Sequence, residues 1–300
     1  PCARPAAFRC ARRARLRQLI LNSNAAMSSA ETTAAAATAT RRERLRGALL
    51  GLFVADTLAM PAHWYYNADN IRKQWGASGV TQPEAAPHPH PESFMVGMRY
   101  EPDVAAARAH GRAYDILGAR ASRFYRTTYS DFGIDTSSRE PEHGNAAPAA
   151  DERYHYHHGL EAGELTLSAQ LVRVLLRQGA RDGRYDERAF IADFVAYLTR
   201  PADIRDVYRE VYIRRWFENY ARGADVRACA SRQRDVWSIG SMGGLVRPLV
   251  VALTARSAYQ ALGVAVTHQA LTHATELGAS ALGVLVPLLH ELLGGAEPHG

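Results

Sequence analysis

LRGALLGLFVADTLAM, residues 45–60, decides the fold class. It contains no proline, and Leu45, Ala48, Leu49, Leu52, Ala59 and Met60 recur at three- and four-residue steps, the spacing of one helix face. The opposite face is also apolar (Leu50, Val54, Leu58), which predicts a helix buried inside a larger all-α protein. Gly47 and Gly51, one turn apart, predict the close approach of a second helix, and Pro61 ends the segment. Asp56 falls inside the apolar stripe. A carboxylate there is costly unless it finds a hydrogen-bond cage, a cation or a metal.

The same periodicity predicts helices over 159–178, 186–199, 204–221, 244–262 and 275–293, while strand-like alternation is scarce. An all-α bundle follows. In 159–178 the stripe Leu160, Leu167, Leu171, Val174, Leu175 encloses a second acid, Glu164, with Glu161 expected in solvent. For either buried acid the bland reading is a satisfied core group or an interface residue. Between the first two helices lies a loop-rich tract, 61–158, with PHPHP at 87–91 and a helix expected around 103–126. Connections this long in a compact domain are usually functional or disordered, and the aromatics and histidines here predict ordered and functional.

Composition bounds the classes. Three hundred residues, 47% hydrophobic and 22% charged, suffice for one substantial core. The pI of about 9.4 is misleading as a sign of nucleic acid: residues 1–40 carry six arginines against Glu31, +5 of the formal +6. The remainder is near neutral, so no nucleic-acid partner is expected. That Arg- and Ala-rich segment has the composition of an organelle transit peptide, pointing to plastid or mitochondrion. Met27 offers an alternative start, which would leave a cytoplasmic protein. On either reading residues 1–40 are expected to be disordered, and residues 41–300 to form the helical domain. Three cysteines make neither a disulfide framework nor a zinc pattern. The best uninterrupted apolar run, Ala279–Leu289, is short and carries Pro287, so no membrane partner and a soluble protein are expected.

Four stations could carry chemistry. His63-Trp64-Tyr65-Tyr66, after the first helix, could present an imidazole and stack a base or sugar, or could plug the end of the bundle. Tyr154-His155-Tyr156-His157-His158 places His157 seven residues before Glu164, on the same helical face, though HxHH is a weak metal pattern. The run from Asp235 to Gly244, with Ser238, Gly240, Ser241, Gly243 and Gly244 ahead of an apolar helix near Leu245, could receive a phosphate with Arg247 adding charge. It could equally be a close-packed junction. Thr267-His268 and Thr272-His273 precede the last helix, with core roles as plausible as catalytic ones.

The stretch from Gly47 to Pro61 resembles the first-helix signature of the ADP-ribosylglycohydrolase superfamily, usually of the form GALLGxxxGDALGxP. HWYYN at 63–67 and YHHGLEAGELTLSAQ at 156–170 look like the branch related to J1 crystallin. The likeness runs from about Arg42 to the C-terminus. It implies an all-α orthogonal multi-helix bundle with long ordered loops, two Mg²⁺ ions between helices, and hydrolysis of a glycosidic bond at the anomeric carbon of ADP-ribose. The ligand would be ADP-ribose-like or an ADP-ribosylated acceptor. Carried over by position, Asp56 matches the first-helix aspartate, and Glu164 and Thr166 replace the Thr-Asp-Asp-Thr metal motif with one carboxylate fewer. His63 stands near the family's glutamate, so His63 and His157 become candidate proton carriers, with Trp64 and Tyr65 stacking on the ligand. The family's late aspartate-rich motif has no counterpart after Asp235, where Glu276, Glu291 and Glu297 are the only acids. The expectation is a metal-dependent hydrolase of this type. The alternative is a non-catalytic, J1-crystallin-like binding or structural protein that keeps the fold with an incomplete metal site.

Overall fold

The structure, a computed structural model, describes residues 40–92, 100–118, 154–232 and 241–296. Among the described residues there are nine α-helices and no strand, as the sequence predicts. They are α1 (Arg41–Ala59), α2 (Ala68–Trp75), α3 (Val104–Ala109), α4 (Leu167–Asp182), α5 (Glu187–Leu198), α6 (Val211–Ala221), α7 (Gly243–Ala252), α8 (Ala258–Ala270) and α9 (Glu276–Gly294). Two 3₁₀ turns, Met60–Ala62 and Pro201–Asp203, each follow a helix. The chain divides into two compact units, residues 1–43 and 44–300. In the first, the described Thr40 donates its N–H and hydroxyl to Glu43, whose N–H donates back to Thr40 Oγ1, a capping box. Everything that follows concerns the second.

Its main core is built by α4, α5, α6 and α7. Phe190, Ile191, Phe194 and Leu198 recur at helical spacing and bury one side of α5 against Leu171, Val174 and Leu175 of α4 and Ile213, Trp216 and Phe217 of α6. Each such side chain contributes about 1.5–3 kcal/mol through burial. Phe194 sits edge-on to Trp216 with ring centroids 5.2 Å apart, and Phe194→Ala is expected to cost about 3–5 kcal/mol in chemical denaturation. A second cluster joins α7, α8 and α9 through Leu245, Ala261, Ala265, Leu282 and Val286. A third and smaller one, Tyr156, Val207 and Tyr208 with Trp64 against it, lies where the chain leaves the 3₁₀ turn after α1.

Several boundaries differ from the sequence reading. The helix expected over 159–178 begins only at Leu167, because Gly159 and Gly163 take φ of 86° and 79° and turn the chain ahead of it. Glu164 is therefore in a turn and not on an apolar helical stripe. The helix over 204–221 starts at Val211, and that over 244–262 breaks into α7 and α8. Around 103–126 only α3 is helical among the described residues. Among the described residues nothing approaches within 4 Å of a Cβ built at Gly47 or Gly51, and Leu50 and Val54 are exposed. Periodicity identifies an apolar face but not what covers it. Arg41–Ala62 and Glu276–Gly294 are long and apolar enough to cross a membrane by length and composition, with mean hydropathies of 1.3 and 1.6 and 17% of each buried. Neither helix is an uninterrupted apolar run, but an average over the helix tolerates Asp56 or Pro287. Of the segment expected to be disordered, residues 1–39 lie outside the described residues, as do Ser238 and Gly240.

Candidate functional site

The N-terminus of α4 gathers three carboxylates. Asp56, from α1, accepts the Thr166 N–H at 2.8 Å and the Thr166 hydroxyl at 2.6 Å. Asp206 accepts the Leu167 N–H at 2.6 Å, and Glu210 accepts the Ser168 hydroxyl at 2.6 Å. Thr166 makes no side-chain cap of its own, so these acids serve the otherwise unpaired donors and the positive end of the helix. Asp206 and Glu210 lie four residues apart in the segment between the second 3₁₀ turn and α6, a segment the sequence reading had placed inside a helix. Burial raises the Asp56 carboxyl above the ordinary range in spite of both Thr166 bonds. It raises Glu210 likewise, against the opposing Ser168 bond and Arg247 charge.

From Asp206 a hydrogen-bond line runs outward. Both its carboxylate oxygens lie 3.0 Å from His157 Nδ1, and His157 Nε2 lies 2.6 Å from His63 Nδ1. Asp206 and His157 are buried, whereas His63 is partly exposed and its Nε2 has no hydrogen-bond partner among the described residues. Burial pulls the His157 imidazole down, but the Asp206 carboxylate, by charge and hydrogen bond, carries it above its ordinary value with help from Asp56 and Glu210. For Asp206, burial acts upward and the His157 imidazolium prevails, holding the carboxyl low. His63 is driven well down by burial and by the charge on His157. Of the two facing rings, the electrostatics thus favour His157 over His63 as the holder of a proton.

Two neighbouring histidines are fixed differently. The Glu92 N–H donates to His90 Nδ1, and His90 Nε2–H donates to the His63 carbonyl. The His157 N–H donates to His155 Nδ1, and His155 Nε2–H donates to the Pro61 carbonyl. Both rings are held neutral by backbone groups, and together they fasten the segment that carries His63. Burial pushes His155 down to about 2.

Trp64 stacks on Tyr156 at 4.6 Å and adopts φ of 66°, a strained value for a non-glycine residue. Tyr65 packs against His90 and Trp75 and donates to Gln74. Each ring thus has at least one aromatic neighbour from the protein itself. Glu164 accepts the Glu161 N–H and pairs with Arg205 at 3.0 Å. Of the three residues expected to hold Mg²⁺, the structure joins Asp56 and Thr166 and turns Glu164 to an arginine. Both Asp56 oxygens are engaged by Thr166, and among the described residues no three His, Cys, Asp or Glu side chains could hold a metal ion together. This arrangement does not fit a hard cation seeking six oxygen ligands.

At the start of α7, Gly243 and Gly244 permit close approach. A Cβ on Gly243 would lie 2.9 Å from Glu210 Oε2, and one on Gly244 would lie 2.8 Å from the His273 ring. The protein's own carboxylate occupies the neighbourhood expected for a phosphate. Asp206 and Glu210 escaped the sequence reading; two acids four apart in the arginine-rich run RPADIRDVYREVYIRR were the available signal.

Compared with known proteins, residues 37–299 match the family model for ADP-ribosylglycohydrolase. No curated protein and no solved structure matches the chain.

Proposed function

The chain belongs to the ADP-ribosylglycohydrolase family, and from that premise we propose that it hydrolyses the glycosidic bond at the anomeric carbon of an ADP-ribosyl ligand, with Asp206, His157 and His63 moving the proton. The observation that carries this reading is the line of hydrogen bonds from the buried Asp206 carboxylate through the buried His157 ring to His63.

In the resting state His157 donates Nδ1–H to Asp206 and Nε2–H to His63 Nδ1, so His63 carries its own hydrogen on Nε2. As the glycosidic bond breaks, His63 gives that proton to the departing oxygen or nitrogen and takes the His157 Nε2 proton in exchange. His63 is left with Nδ1–H and a bare Nε2. A water then adds its oxygen to the anomeric carbon and surrenders a proton to His63 Nε2, which returns its Nδ1 proton to His157. One relay serves as acid and then as base, a role worth on the order of 10²–10⁴ in rate. No step is routed through Mg²⁺, because Asp56, Glu164 and Thr166 do not make a seat for it.

A second reading is a J1-crystallin-like protein without chemistry, favoured by the packing of Trp64 and Tyr65 against the protein's own rings and by the Thr166 bonds that both Asp56 oxygens accept. The two are separated by offering the protein O-linked and N-linked ADP-ribosylated peptides and measuring released ADP-ribose. Release by the wild type, lost in His63→Ala, supports the hydrolase. Silence on every linkage supports the structural protein.

A further inference from the structure

A second polar line ends on the other side of Glu210. Arg247 is buried; its guanidinium donates to the Tyr212 hydroxyl and to Thr272 Oγ1, both at 2.8 Å. Thr272 Oγ1 lies 2.9 Å from His273 Nδ1, and His273 Nε2 lies 3.2 Å from Ser241 Oγ. A hydroxyl oxygen that accepts from a guanidinium has its own hydrogen polarised and gives it to the next acceptor, His273 Nδ1. His273 then carries its proton on Nε2 and donates to Ser241. The Ser241 hydrogen is left to point onward, and every donor faces away from the buried cation.

This direction rules against Ser241 as a nucleophile. A nucleophilic serine needs a bare His273 Nε2 and a partner that stabilises the imidazolium. Here the partner is a threonine already serving an arginine, and burial and Arg247 together push His273 down to about 3. Ser241 is instead a terminal donor. Facing it is a carboxylate: a Cβ on Gly243 would stand 2.9 Å from Glu210 Oε2 and 3.4 Å from Ser241 Oγ, so both oxygens overhang one glycine. Ser241 is partly exposed, and Glu210 is near enough to the proton relay to act electrostatically on His157.

We propose that Ser241 and Glu210 seat one hydroxyl group of a sugar ligand, which accepts from Ser241 Oγ–H and donates to the Glu210 carboxylate. Arg247, Thr272 and His273 are positioning residues that aim the serine hydrogen. A sugar hydroxyl satisfies both, whereas a phosphate is repelled by Glu210 and an ammonium cannot accept from Ser241. The choice of sugar rests on the ADP-ribosyl reading above.

The test is isothermal titration of the full chain with ADP-ribose and with ADP-ribose analogues lacking, one at a time, the hydroxyls of the terminal ribose. Ser241→Ala is expected to bind ADP-ribose about 3- to 10-fold more weakly. One deoxy analogue should bind wild type and variant alike, since it lacks the seated hydroxyl. Thr272→Val should copy the loss and Thr272→Ser should restore it, with thermal melting confirming that each variant is folded. An equal loss in Ser241→Ala for every analogue, or no loss with ADP-ribose, overturns the seat while leaving the ADP-ribosyl reading intact. Failure of the wild type to bind ADP-ribose overturns both.

Discussion

Four histidines lie within one small volume behind the first helix, and they form two contrasting pairs. His90 and His155 each accept a backbone N–H on Nδ1 and donate Nε2–H to a backbone carbonyl. His63 and His157 face each other, and the inner one also faces Asp206. The residue type is the same, and His90, His155 and His157 are alike in burial; the partners are not alike. A ring held between two backbone groups has nowhere to send a proton and becomes a brace. A ring held between a carboxylate and another ring keeps a proton and can pass it on. The braces also grip the Pro61 and His63 carbonyls, so the rigid pair sets the position of the mobile proton.

The largest effect expected is from removing the charge that loads the relay. Asp206→Asn keeps a cap on α4 but no longer holds the His157 proton, and hydrolysis should fall by about 10²–10⁴ in kcat, measured as ADP-ribose release. Breaking a brace should give the reverse profile. His155→Ala leaves the Pro61 carbonyl unsatisfied and is expected to cost about 2–3 kcal/mol in denaturant titration, with a far smaller change in kcat of the folded enzyme.

His157 should also separate from the two braces by pH. The His155 imidazole is neutral when folded and its pKa is lowered, so the unfolded chain binds the extra proton; stability should be full above about pH 6.5 and decline as pH falls toward its folded value near 2. His157 has a raised pKa, so its contribution is fully present below about pH 6.5 and is lost as pH rises through the folded value. His155→Gln should flatten the acid limb of a stability–pH curve by one proton, about 1.4 kcal/mol per pH unit, and Asp206→Asn should flatten the alkaline limb.

The smallest effect expected is at Glu164. Its bond with Arg205 is half in solvent, and Glu164→Gln should change stability by about 0–1 kcal/mol, to the same extent with and without added Mg²⁺. A Mg²⁺-dependent stabilisation lost in that variant would return Glu164 to a metal site and weaken the contrast drawn above.

What the sequence disclosed follows the same division. The bundle was legible because α1, α5 and α9 repeat their apolar residues at helical steps over many turns. His63 and His157 stood out as candidates because imidazoles next to aromatic residues are conspicuous. Their mutual contact was not legible, since they are 94 positions apart. Asp206 and Glu210 were hidden by being read as part of a helix, although an extended segment delivers them to α4. Glu164 was misplaced because leucines on either side of GLEAGELT imitate a helical stripe, while its two glycines turn the chain. Periodicity reports which residues share a face; it is silent on where a turn sends an isolated acid.

The most direct measurement is an NMR titration of the protein labelled with ¹⁵N in its histidine rings, assigned by His63→Gln, His90→Gln, His155→Gln and His157→Gln variants. The expected result is His157 protonated on both nitrogens at pH 7, while His63, His90 and His155 remain neutral. A His157 that is neutral at pH 7, titrating together with the braces, would contradict the proton relay.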